Sequence, residues 1–204
     1  IHLSTGNAGI ESAGNVELSV GTSQSAFGGS VKLTAGDSLG SGAGDIDLRA
    51  GAASGAPGGR VLLQSGRSAG GPGGDIALAV GDGSGSTLGG GVYICGGRAE
   101  AESGGDVNVV GGESMKSTGG KVVLSGGDNA GGGAAGGDVA IESGSSNGFV
   151  SGAVTLRTTG TRQGGAASGD ITLATGSAEN DGVSGDIAVQ TGHTSSGTVG
   201  QLLL

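Results

Sequence analysis

Branched apolar residues occur along this chain in pairs separated by one residue, and the pairs recur at a near-constant step. The first member is Ile1, Val16, Val31, Ile46, Val61, Ile76, Val92, Val107, Val122, Val139, Val154, Ile171, Ile187 and Leu202. Most steps are fifteen residues; the steps of seventeen fall at "NAGGGAAGG" and "TRQGGAASG", where runs of glycine and small residues mark loops or corners. The second member follows two residues later, as at Leu3, Leu18, Leu63, Leu78, Ile94 and Leu173, while the residue between (Glu17, Lys32, Asp47, Leu62, Tyr93) obeys no rule. Period two with β-branched residues predicts a short strand with one apolar face.

The next place on that face is small in nearly every copy: Thr5, Val20, Ala35, Ala50, Ser65, Val80, Gly96, Gly111, Gly126, Ser143, Thr158, Thr175 and Thr191. Glycine usually follows it, and a glycine-rich step such as Gly58-Gly59 or Gly73-Gly74 precedes the next apolar pair, which suits sharp turns. A copy of fifteen residues cannot bury an apolar face alone, but stacked copies would align theirs into inner ladders. The pattern therefore predicts an all-β fold, a narrow parallel β-solenoid (β-helix) of about thirteen coils of 15–17 residues, with residues 1–204 one repeat array. At about 4.8 Å per coil it would be a rod of roughly 60 Å. Val61, Leu63, Ile76 and Leu78 would point inward, because a one-residue slip would bury Asp47 and Lys32 instead. Ala53, Ser68 and Ser114 would let a second wall approach closely.

Composition narrows the picture further. With 53 glycines and only Phe27, Tyr93 and Phe149 as aromatics, no wide interior can be filled. A net charge of −9 spread along the chain disfavours nucleic acid, which calls for a basic stripe. No apolar run is long enough to span a bilayer, and no signal peptide or initiator methionine is present, so "IHLSTG" reads as an interior or processed start. The single cysteine, Cys95, excludes an internal disulfide framework; it reads as an incidental outward residue, with an intermolecular bridge as the alternative.

Several motifs imitate chemistry. "GDSL" (36–39), "GRSAG" (66–70) and "GSSNG" (144–148) match serine-nucleophile blocks, yet they occupy one phase of the repeat. Such an elbow needs a strand-to-helix turn and a histidine, and the only histidines are His2 and His193. The Gly81-Gly83-Gly85 run lacks the helix and the G-K-[ST] of a phosphate loop. Asp45, Asp75, Asp106, Asp138, Asp170 and Asp186 precede the apolar pair, and stacking would align them into a row that calcium could bridge. Asn15, Ser30, Arg60, Gly91, Lys121 and Ala153 interrupt the series, and a carboxylate accepting a backbone hydrogen bond at a turn is the simpler role. No catalytic, cofactor-binding or metal-binding residue is assigned, and no cofactor is implied. Ice binding would need a regular outward threonine row; the outward places run His, Glu, Lys, Asp, Leu.

The phrase S-G-D-I-x-L-x-T-G, as in "SGDITLATG" (168–176), with serine- and glycine-rich spacers, resembles the repeats of large predicted extracellular proteins of diatoms and other microalgae. It is also similar to repeats of some bacterial surface proteins. The resemblance covers essentially the whole chain and implies a secreted, structural or adhesive role at the cell surface, with no catalytic residue attached. The expectation is a non-enzymatic stalk, fibre or filament segment of a larger extracellular protein. The alternative is a ligand-binding solenoid surface, for ice or polysaccharide. Ends inside strands, at Ile1-His2-Leu3 and Leu202-Leu203-Leu204, would continue into further coils or stack end to end on another copy.

Overall fold

The computed structural model describes residues 1–24, 27–85, 87–131, 133–161 and 166–203. Leu204, Gly132 of the "NAGGGAAGG" insertion and residues 162–165 of "TRQGGAASG" lie outside them. The chain divides into two units, Ile1–Cys95 and Gly96–Leu204.

Neither unit is a β-solenoid, which corrects the expectation from the repeat. Among the described residues there is no strand and no helix, and no side chain is buried. Val61, Leu63, Ile76 and Leu78, expected inside, are 54%, 63%, 53% and 71% exposed. The chain exposes 20318 Å², against about 8,300 Å² for a folded monomer of its mass and about 27,000 Å² for the unfolded chain. Most of the surface that a core would remove from water stays in it. The reason lies in the backbone. A solenoid coil needs each V-x-L segment hydrogen-bonded along its length to the next copy, whereas among the described residues the backbone bonds that join neighbouring copies run between glycines.

That meeting has one form. In the first unit the amides of Gly44, Gly59, Gly74 and Gly90 donate to the carbonyls of Gly36, Gly51, Gly66 and Gly81. The second unit repeats it, with Gly105, Gly120, Gly137 and Gly152 donating to Gly97, Gly112, Gly127 and Gly144. Each bond clasps the two ends of a spacer, turning it into a closed loop. The donor always stands two residues before the first apolar residue of the next copy, and glycine fills this place throughout, from Gly14 and Gly29 to Gly185 and Gly200. The acceptor directly follows the small position.

The clasp occurs with small residues at the small position and with one valine. With Gly96, Gly111 or Gly126 there, the N···O distance is 2.8 Å; with Ala35, Ala50, Ser65 or Ser143 it is 2.9 Å; with Val80 it is 3.1 Å. Where Thr5, Val20, Thr158, Thr175 or Thr191 stands there, no clasp forms among the described residues. The steric cause is visible at the donor glycine. A Cβ added at Gly169, Gly185 or Gly200 would meet the γ-methyl of Thr158, Thr175 or Thr191 at 3.8, 3.7 and 3.9 Å, so in these open repeats the methyl lies beside the donor glycine. Conversely, a Cβ on Gly96, Gly111 or Gly126 would run into the carbonyl of Gly105, Gly120 or Gly137. Branching at Cβ restricts χ1 and so the withdrawal of that bulk, yet the Val80 repeat closes, with the longest of the eight bonds.

Within the loops, short polar side chains make the turns. Ser68 Oγ accepts from the Gly71 amide (2.9 Å), Ser114 Oγ from Ser117 (2.9 Å) and Thr194 Oγ1 from Gly197 (3.0 Å). Asn129 accepts from Gly131 through Oδ1 at 3.0 Å and donates through Nδ2 to the Ala134 carbonyl at 2.6 Å. Such local bonds offer the backbone an alternative to ladder pairing. Ser68 and Ser114, expected to admit a second wall, are instead turn formers. The 179–182 loop turns through Asn180 (φ 53°) and Asp181 (φ 65°), with the Gly182 amide reaching the Glu179 carbonyl at 3.2 Å. Positive φ at both central residues is the mark of a type I′ turn.

Candidate functional site

The repeated feature with defined geometry is the clasped loop: two glycines at its base, an apolar pair on either side and, in five of the eight, a polar side chain three residues after the small position. The serines that imitate nucleophiles belong to it. Ser38 of "GDSL" donates through Oγ to the Ser41 carbonyl at 2.6 Å and accepts from the Gly40 amide at 3.3 Å. Its partners are backbone atoms of its own loop, which the hydroxyl closes. Ser68 of "GRSAG" has the same role through Gly71. Ser146 of "GSSNG" is exposed, two residues before Gly148 with its φ of 90°. His2 and His193 fall in separate units.

The aspartates follow the donor glycine directly: Asp45 after Gly44, Asp75 after Gly74, Asp106 after Gly105, Asp138 after Gly137, Asp170 after Gly169 and Asp186 after Gly185. All six are exposed. Among the described residues no hydrogen bond is made to their carboxylates. Among the described residues no three His, Cys, Asp or Glu side chains come together to hold a metal ion. The one ion pair among the described residues joins Arg49 to Asp47, at 2.5 Å and with an Nε to Oδ1 bond of 2.8 Å. The two residues flank Leu48 on one side of the backbone, as period two predicts, and the pair is solvent-exposed. Such pairs contribute about 0 to 1 kcal/mol.

The described residues form no pocket. No helix among them is long and apolar enough to cross a membrane. Cys95 is an exposed free thiol. The residues that the motif search missed are the clasp glycines themselves. Their signal was present: glycine stands two residues before every apolar pair from Val16 on, whereas the neighbouring place varies from Asp to Arg, Lys, Asn and Ala.

Comparison with family models, with curated proteins and with solved structures finds no match to this chain.

Proposed function

We propose that this chain is a non-enzymatic structural segment, a spacer or stalk within an extracellular or cell-surface protein. One observation carries the reading: the same glycine clasp recurs in eight repeats, so the chain multiplies one mechanical unit and builds no singular site. The serines that could have acted as nucleophiles hold loops shut, which supports a structural use for them. Repetition of a unit that differs mainly in its outward side chains sets length, and a net charge of −9 keeps such a chain hydrated. The exposed Val and Leu pairs supply apolar surface for self-association with other copies.

The test is length. Duplicating residues 46–75 should raise the largest dimension in small-angle scattering, and duplicating them again should raise it by the same increment. Turnover of an ester or glycoside panel by the purified chain would sink the reading. Binding of the chain to ice or to an insoluble polysaccharide would favour a displayed adhesive surface instead.

A further inference from the structure

The clasp distances, read beside the residues that set them, point beyond a passive spacer. We infer that the chain is an extensible tether that stores slack in clasped loops, with glycine, alanine or serine before the acceptor favouring the clasp and threonine there opposing it. The inference rests on the structural reading above.

Each clasp brings together backbone atoms eight or more residues apart in sequence, as from Gly36 to Gly44 at 2.9 Å. Released and straightened, eight residues reach about 27 Å, so one opened loop returns roughly 20 Å of length. The eight clasped loops together store on the order of 160 Å. Each is held by one backbone bond with no ladder beside it, so the loops open singly and close again without a register to recover. The residue choice then writes a compliance profile along the sequence. Repeats from Ala35 to Ser143 are clasped, tightest at Gly96, Gly111 and Gly126; the Thr and Val repeats before and after them in sequence are already slack. Sequence alone changes the profile: one threonine opens a loop and one glycine closes it.

Single-molecule pulling of the 204-residue chain, held by its termini, tests this with three variants. The first carries Gly96→Thr, Gly111→Thr and Gly126→Thr, which opens three clasps. The second carries Thr5→Gly, Thr175→Gly and Thr191→Gly, which frees three donor glycines to close. The third carries Gly40→Thr, Gly55→Thr and Gly70→Thr, where an added Cβ meets nothing within 4 Å, and removes as many glycines without touching a clasp. At low force the first should be longer than the parent by about 60 Å, the second shorter by a similar amount and the third unchanged, with one contour length for all. In the first variant the amides of Gly105, Gly120 and Gly137 should exchange about two- to tenfold faster, the range expected for one lost backbone bond. Superimposable curves for all three variants, or unaltered exchange, overturn the tether while leaving the structural reading intact. Catalytic turnover or ligand capture would do the opposite.

Discussion

The Gly120 amide reaches the Gly112 carbonyl at 2.8 Å, closing the spacer between Gly111 and the pair Val122 and Leu124. At the matching place in a later repeat, Gly185 forms no such bond with Gly176; Thr175 stands there in place of a glycine, and the spacer is one residue longer and holds the 179–182 turn. Closed repeats carry Gly, Ala, Ser or Val at this place, and among the described residues no repeat with Thr there is closed. A series at residue 111 should reproduce the gradient. Gly111→Ala should weaken the bond, because an added Cβ runs into the Gly120 carbonyl unless the two backbones move apart toward the spacing of the Ala35 and Ala50 repeats. Gly111→Thr should lose it, at about 0.5–1.5 kcal/mol. Exchange of the Gly120 amide reads both, and a threonine variant as protected as the parent would contradict the steric account.

Replacing Ser38 by alanine removes the hydroxyl that both donates to Ser41 and accepts from Gly40. The expected result is a looser 38–41 turn, faster exchange at Gly40 and a local cost of about 1 kcal/mol. Ester turnover should be absent from the parent and the variant alike. Activity in the parent that vanished in Ser38→Ala would restore the nucleophile.

Leu78→Asp would be severe inside a narrow core, where the new charge would be unpaired. Leu78 is exposed, so the change should stay within about 0.5 kcal/mol of the parent. Its effect should appear in association: the added charge should lower the concentration-dependent scattering that the apolar pairs promote. A cooperative unfolding transition destroyed by this substitution would mean that Leu78 has a packed environment.

The 179–182 turn supplies a backbone test. Asp181 holds a φ of 65°, where an L side chain is disfavoured and glycine is at ease. Asp181→Gly should strengthen the Gly182 to Glu179 bond, and Asn180→Val should weaken it by about 1 kcal/mol, since a β-branched residue resists positive φ. The temperature coefficient of the Gly182 amide measures both. Identical coefficients in the two variants would place the turn elsewhere.

What the sequence by itself determined is the unit and its punctuation. The step from Val16 to Val31 to Ile46, the alternation of Val61 with Leu63, and the glycines at Gly59 and Gly74 mark where each copy begins and where the backbone must turn, because these depend on neighbours in the chain. The placement of Asp47 and Arg49 on one side of Leu48 agrees with that local reading. Whether copies stack was a different matter, since a period-two pattern records that one face is apolar without recording what covers it. The tertiary structure decided that successive copies touch at one glycine pair, that Ile76 and Leu78 stay in water, and that Ser38 and Ser68 bind their own loops. The physical reason is distance. A ladder needs many backbone groups of two copies in register at once, and the turn-forming serines, asparagine and threonines satisfy the spacer backbone locally first. Closure of the clasp then depends on a contact between residues nine or more positions apart, such as Thr175 and Gly185, that no local pattern displays.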